Sequence, residues 1–105
     1  MAVDFETTKQ IAKNYADHVR RTLPVDMVIL YGSYAKGNAT EISDVDICFF
    51  LNDFGGKNRA DIIGMLLRLC REYRGAFFEP TVFPTSEIER GNPFVKEILS
   101  TGIEI

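Results

Sequence analysis

Two short stretches decide what this chain builds: Tyr31-Gly32-Ser33-Tyr34-Ala35-Lys36-Gly37 and, after a spacer, Ser43-Asp44-Val45-Asp46-Ile47. The first begins at the end of a mostly apolar run from Val25 to Tyr31, centred on Met27 to Leu30, which has the length and character of a buried central strand. Gly32-Ser33 interrupts that run, and the small residues from Tyr34 to Thr40 predict a turn with a short helix. A strand that enters a helix through glycine presents free backbone N–H groups, which can bind a phosphate closely.

The second stretch predicts another strand, Asp44 to Leu51, whose residues alternate between two faces. Asp44 and Asp46 then point to the same side, with Cα atoms about 7 Å apart. Carboxylates at that spacing can converge on two metal ions separated by about 3.5–4 Å, and Mg²⁺ prefers such oxygen ligands. A lone Asp-x-Asp is commonly the polar edge of a half-exposed strand. Just behind a strand–Gly-Ser–helix turn, however, a structural role gives no reason to bring two like charges together.

Helices are predicted on both sides of these strands. Thr7 or Thr8 can cap a first helix. Asn58 can cap a second, and Gly75 can stop it. Pro93 suits the first position of a last helix. The apolar residues predicted to face the core are Ile11, Tyr15, Val19 and Leu23 in the first helix, Ile62, Ile63, Leu66, Leu67, Leu69, Cys70 and Tyr73 in the second, and Phe94, Ile98 and Leu99 in the last.

A third strand is predicted from Ala76 to Phe83, where Pro80 indicates an edge position or a bulge. The elements follow the order helix, strand, short helix, strand, helix, strand, helix. That order favours an α/β fold, a small mixed sheet flanked by helices. The 105 residues leave room for a single domain spanning 1–105.

Charge and composition exclude several classes of function. The net charge is −3, and no segment is strongly basic, so we do not expect direct polynucleotide binding. Arg68, Arg71 and Arg74 would lie along one side of the second predicted helix, and we interpret them as a solvated face. No apolar run reaches the ~20 residues that span a bilayer, and the N-terminal residues do not form a signal peptide. We therefore expect a cytoplasmic protein without membrane association.

Neither the two cysteines nor the single histidine is a candidate catalytic or metal-binding residue. Cys48 and Cys70 lie within apolar patterns and are interpreted as small buried hydrophobic residues. His18 has no second histidine or nearby cysteine with which to share a metal, so zinc chemistry is not expected.

The Gly-Ser turn followed by Asp-x-Asp within Ser43 to Ile47 resembles the signature of the nucleotidyltransferase superfamily that includes DNA polymerase β. The whole chain looks like the MNT-type minimal nucleotidyltransferases, which are stand-alone domains of this size. The likeness extends to Phe78-Glu79-Pro80 and to the ending from Asn92-Pro93-Phe94 through Ile98 to Gly102-Ile103. It covers most of the chain from Val28 onward and implies a nucleotidyltransferase fold.

The resemblance implies roles for individual residues. Gly32 and Ser33 would hold a triphosphate, and Asp44 and Asp46 would bind two Mg²⁺ ions, with Mn²⁺ as an alternative. The superfamily often has a third carboxylate on a later strand, which binds a metal and helps to activate the attacking hydroxyl. Glu79 is the candidate here, although it also fits an exposed acid on an edge strand.

Two further positions stay open in that comparison. Lys36 is a candidate for a phosphate contact, and a solvated loop lysine fits it equally well. Many relatives have arginine where Tyr34 stands, so no basic phosphate contact is expected at that position.

The implied activity is transfer of a nucleoside monophosphate, AMP for example, from ATP or another nucleoside triphosphate to a hydroxyl acceptor. In the resembled family, minimal domains commonly act as antitoxins of a separate small helical HEPN-type toxin, and some modify a tyrosine of that partner. Two alternatives stay open: a non-catalytic module that masks its partner, and transfer to a small molecule such as an aminoglycoside. The sequence also leaves homo-oligomerisation open.

Overall fold

The structure, a computed structural model, describes residues 5–37, 39 and 44–105; Thr40, the spacer 41–42 and Ser43 of the motif lie outside those residues. Its elements are α1 (Phe5–Thr22), β1 (Val25–Tyr31), α2 (Ser33–Lys36), β2 (Val45–Leu51), α3 (Arg59–Cys70), β3 (Phe78–Pro84), α4 (Glu87–Arg90), α5 (Pro93–Thr101) and β4 (Ile103–Glu104). The strands form one sheet in the order β3-β2-β1-β4. β2 is parallel to β3 and antiparallel to β1, and β1 is antiparallel to β4. The predicted mixed sheet flanked by helices is confirmed.

Helices cover both faces of the sheet. On one face, α1 and α3 pack over the side chains of alternate strand residues, with Tyr15 and Leu66 fully buried between them. The Tyr15 hydroxyl donates to the Leu66 carbonyl at 2.6 Å and joins the two helices. On the other face, α5 buries Val95 and Ile98 against a smaller apolar cluster. Burial of each such large side chain contributes about 1.5–3 kcal/mol.

The start of α1 differs from the prediction, and its end leaves Leu23 outside the helix. The helix already includes Phe5, and Thr8 is buried within it, so neither Thr7 nor Thr8 is its cap. The helix ends at Thr22, two residues before Pro24, because the residue that precedes a proline disfavours the helical conformation.

α3 begins where the sequence predicts and ends earlier. The Asn58 side chain accepts from the Asp61 N–H at 2.9 Å, and the Asp61 carboxylate accepts from the Asn58 N–H at 3.1 Å, which forms a capping box. The predicted stop at Gly75 is wrong, since the helix ends at Cys70. Tyr73 instead bonds His18 at 2.8 Å and packs its ring against Tyr15.

The early end of α3 also changes the predicted row of arginines. Arg68 lies within the helix, whereas Arg71 and Arg74 lie beyond its last residue, so the three do not form one helix face.

β3 is an edge strand, as Pro80 predicted, and it begins at Phe78 rather than Ala76. Arg59, the first residue of α3, crosses this edge. Its Nε donates to the Val82 carbonyl at 2.8 Å, and its guanidinium lies 4.5 Å from the centre of the Phe83 ring. The ring contact adds a cation–π attraction.

The C-terminal part confirms most of the predicted last helix. Asn92 caps α5 by accepting from the Phe94 N–H, and Pro93 occupies its first turn. Phe94 was expected to point inward, but it is 46% exposed at the margin of the apolar cluster, where its ring contacts Tyr31 and Phe83. The short elements α4 and β4 were not predicted. Within the described residues, no helix has the length and apolarity to cross a membrane.

Candidate functional site

Gly32 lies at the end of β1, where the chain turns into α2. Its φ of 71° falls in the left-handed region, which side chains rarely adopt. The space that a Cβ would fill there is taken by the Asp46 carboxylate. Glycine is therefore required at this position for two independent reasons, and its backbone forms one wall around Asp46.

Ser33 opens α2, which is only four residues long. The first N–H groups of any helix have no intrahelical partner, so this turn offers amide donors beside Asp46. Because the helix is so short, its dipole adds little, and the free amides are the candidate contacts for an anion. Tyr34 is buried in the core, which explains how a phenol occupies this position.

Lys36 lies at the last position of α2 and is exposed. Its Nζ is 4.0 Å from the Glu97 carboxylate, and both side chains are more than half exposed. A pair of this kind contributes little, so the ammonium group is free to move toward an anion at the turn.

The strand register brings the candidate carboxylates together. Asp46 on β2 lies directly opposite Glu79 on β3, and on its other side it lies opposite Tyr31 on β1. Residues that are paired across strands point to the same face, so these three side chains form one row across the sheet. Asp44 precedes β2 by one residue and is exposed next to that row.

The charges of this row are not compensated by cations. Partial burial raises the pKa of Asp46, and the negative charges of Glu79 and Asp44 raise it further. Burial also raises the pKa of Tyr31 well above that of an ordinary phenol, with Asp46, Cys48 and Glu79 adding to the effect. No lysine, arginine or histidine in the described part of the chain forms an ion pair with Asp44, Asp46 or Glu79. The site favours a cation or a proton beside Asp46.

This donor set fits Mg²⁺, since it consists of carboxylate oxygens. In residues 5–37, 39 and 44–105, no three His, Cys, Asp or Glu side chains are already gathered around one point as a metal cage. Magnesium is commonly bound by one or two carboxylates together with substrate phosphates and water rather than by an all-protein cage. Asp44, Asp46 and Glu79 have the chemistry for a metal that arrives with a triphosphate.

A cleft of about 680 Å³ opens beside the carboxylates, lined in part by Asp44 and Glu79. The segment between α3 and β3 contributes Arg71, Arg74 and Phe77 to its lining, and Phe77 is 76% exposed. These three residues were not predicted as parts of the site, because the arginines were expected on a helix face and Phe77 inside a strand. Tyr31 was not predicted either, although it directly precedes the Gly-Ser turn.

The two cysteines differ in their relation to the cleft. Cys48 is fully buried, as predicted, and burial raises the pKa of its thiol to about 12. Cys70 is only partly buried, donates to the Leu67 carbonyl and lines the cleft. Both are free thiols.

Comparison with known proteins agrees with this geometry. The sequence profile of the nucleotidyltransferase domain family matches residues 12–100, which is most of the chain and includes every candidate site residue. The chain belongs to the nucleotidyltransferase domain family. No curated protein matches the sequence.

The fold has a counterpart among solved structures. The crystal structure of a proposed nucleotidyltransferase from Sulfolobus solfataricus superposes with a TM-score of 0.65 at 24% sequence identity. The match covers 90% of this chain and 76% of that protein. It shows that the two proteins share a fold.

Proposed function

We propose that this single domain transfers a nucleoside monophosphate, AMP in the simplest case, from a nucleoside triphosphate to a hydroxyl acceptor. Family membership supports nucleotidyl transfer in general. The observation that carries the proposal is the pairing of Asp46 with Glu79 on adjacent parallel strands, with the Asp46 carboxylate against Gly32. A triphosphate on the Gly32-Ser33 turn would lie beside carboxylates, the side chains that Mg²⁺ prefers.

The residues of the chain divide the work of the reaction. Backbone amides of the turn and the Ser33 hydroxyl bind the triphosphate, and Lys36 can approach the same anion. Asp44, Asp46 and Glu79 would hold one or two Mg²⁺ or Mn²⁺ ions, which supply stabilisation of the charge that develops on the phosphates. Tyr31 remains a neutral phenol beside Asp46 because its pKa is raised.

Transfer itself exchanges one P–O bond for another. The acceptor oxygen forms a bond to the α-phosphorus, and the bond from that phosphorus to the bridging oxygen of the leaving pyrophosphate breaks. The proton of the acceptor hydroxyl passes to the Glu79 carboxylate, which acts as general base. The position of Glu79 next to Asp46, and on the lining of the cleft, supports this role.

For the acceptor we propose a tyrosine of a separate small helical partner of the HEPN type, with this chain acting as antitoxin in the cytoplasm. The resemblance to minimal nucleotidyltransferases and the open cleft beside Glu79 support this choice. Mass spectrometry of a co-expressed partner would show an added nucleotide on a tyrosine. A partner that is neutralised without modification would instead favour the non-catalytic masking module.

Metal dependence tests the core of the proposal. We expect calorimetry to show ATP binding in the presence of Mg²⁺ and little binding in EDTA, because the uncompensated carboxylates repel the triphosphate when no metal is present. Ser33→Ala should weaken binding by about 1.5–3 kcal/mol, the contribution of one hydrogen bond to a charged group. Equal affinity with and without metal would refute the role assigned to Asp44 and Asp46.

A further inference from the structure

The cleft carries opposite charges in different parts of its lining. Asp44 and Glu79 are two of the candidate site's acidic residues, while Arg71 and Arg74 come from the segment between α3 and β3. Both arginines are exposed, and neither forms an ion pair within the described residues. Phe77 adds an exposed aromatic ring to the same lining. The packing of the sheet and its helices does not account for these three exposed side chains.

The cleft also lies on the side of the site where an acceptor is needed. The Gly32-Ser33 turn follows β1, the cleft lies at the start of β3, and β2 with Asp46 runs between them. In an in-line displacement the attacking oxygen approaches opposite to the leaving group. A pyrophosphate held at the turn therefore requires an acceptor that comes from the side of β3.

We infer that this cleft binds the acceptor and that the acceptor is an acidic polypeptide segment, whose hydroxyl side chain lies at Glu79 and whose carboxylates lie at Arg71 and Arg74. The inference rests on the proposed function. A volume of about 680 Å³ is within the usual range of small-ligand pockets, so it admits a few side chains rather than a folded surface. The ring of Phe77 gives an aromatic side chain such as tyrosine a surface on which to pack.

The same charges disfavour the other acceptors. A polycationic aminoglycoside would meet two guanidinium groups at the cleft. A polynucleotide needs many phosphate contacts, whereas the chain has a net charge of −3 and the lining of the cleft contributes two cations, Arg71 and Arg74. An acidic peptide segment needs only a few charge contacts, and Arg71 and Arg74 can supply them.

The test compares two double variants that remove the same charge. Arg71→Ala/Arg74→Ala removes both cleft arginines, and Arg21→Ala/Arg68→Ala removes two exposed arginines that do not line the cleft. Each variant and the wild type would be given α-labelled ATP, Mg²⁺ and one of three acceptors. These are a pentapeptide with tyrosine between two pairs of glutamates, its glutamine counterpart, and an oligoribonucleotide with a free 3′-hydroxyl. ATP binding is measured separately for every variant.

We expect the wild type to label the glutamate peptide with a KM about tenfold lower than that of the glutamine peptide at low ionic strength, since two exposed charge contacts contribute modestly each and are screened by salt. The preference should disappear in Arg71→Ala/Arg74→Ala and persist in Arg21→Ala/Arg68→Ala. Three outcomes would overturn the inference. They are equal use of both peptides, a preference that persists without the cleft arginines, and labelling of the oligoribonucleotide alone. If the wild type binds ATP in a metal-dependent way but does not label the acidic peptide, the inference is overturned and the proposed function stands. If the wild type shows no metal-dependent ATP binding, the proposed function itself is refuted.

Discussion

The two ends of the sheet both carry aspartates, but the surroundings of these aspartates are opposite. At the end where β2 and β3 begin, Asp46 lies beside Glu79 and Asp44, and its pKa is raised. At the other end, Asp26 accepts from the Thr85 hydroxyl at 2.6 Å and from the Asn52 amide at 2.9 Å. These two donors lower the pKa of Asp26.

The difference separates a carboxylate that joins structural elements from one that is available to a ligand. Donors around Asp26 satisfy its oxygens and join the turns after β2 and β3 to β1. Around Asp46 the acids Glu79 and Asp44 raise its pKa, so a cation brought by a ligand would stabilise its charge. We expect these neighbouring carboxylates to destabilise the free protein and to favour binding of a cation.

The largest expected effect comes from removing one charge at the site end. Asp46→Asn or Asp44→Asn should lower nucleotidyl transfer by roughly 10³-fold or more, because several kcal/mol of charge stabilisation depend on the bound metals. The matched control is Asp26→Asn, which removes one carboxylate from the other end and should leave transfer unchanged. A labelled-ATP transfer assay with each purified variant makes the comparison. If the site variants unfold while Asp26→Asn does not, Asp44 and Asp46 are structural.

The second effect concerns the general base. Glu79→Gln should lower transfer by about 10²–10⁴-fold, the usual contribution of a positioned base, while ATP affinity changes little. Glu104 on β4, at the opposite edge of the sheet, provides the control as Glu104→Gln, with transfer expected at the wild-type rate. Undiminished transfer in Glu79→Gln would make that residue an exposed acid on an edge strand.

A third comparison uses two glycines with positive φ. Gly32→Ala and Gly55→Ala should each cost roughly 1–2 kcal/mol of stability, because alanine is strained in the left-handed region. A Cβ at Gly55 meets open space, whereas one at Gly32 displaces the Asp46 carboxylate. Only Gly32→Ala should therefore also lose ATP affinity and transfer. Thermal unfolding and calorimetry measure both quantities, and equal function in the two variants would contradict the contact.

The smallest expected effect is a difference in the pH dependence of stability without metal. The folded pKa of Asp46 is raised, so its stabilising contribution is greatest below the ordinary aspartate pKa of 3.8 and is lost as pH rises through the folded value. The folded pKa of Asp26 is lowered, so its contribution is present above that ordinary value and is lost as pH falls through the folded one. In EDTA, Asp46→Asn should gain stability relative to the wild type at neutral pH.

Urea denaturation near neutral pH and at the lowest pH that keeps the protein folded would measure this difference. Asp26→Asn, in contrast, should lose stability at neutral pH. If Asp46→Asn is destabilised at neutral pH in EDTA, the repulsion among the three acids is not the dominant effect.

Much of the fold could be predicted because local signals and tertiary packing agree. β1 has its predicted bounds since the mostly apolar run from Val25 to Tyr31 suits a buried strand, and Asn58 fixes the start of α3 through its own side chain. The end of α3 could not be predicted. Its sequence continues to favour a helix, but the contacts of Tyr73 with Tyr15 and His18 turn the chain away after Cys70.

The candidate site, like the fold, was only partly predictable from the sequence. Asp46 could be placed on a strand and Asp44 close to it from the sequence spacing, and Glu79 could be placed on a later strand. That Glu79 faces Asp46 depends on β3 pairing parallel to β2, a long-range choice that the alternation within each strand does not specify. The cleft depends on where α3 stops, so its arginines and Phe77 could not be assigned beforehand.

The edge of β3 has a consequence for how this protein behaves in concentrated solution. Exposed strand edges recruit other chains into extended sheets and so seed aggregation. Here Pro80 offers no N–H to an incoming strand, and Arg59 already occupies the Val82 carbonyl. The edge of the sheet next to Glu79 is therefore protected against strand addition, so the candidate site can stay open to other polypeptides without incorporating them into the sheet.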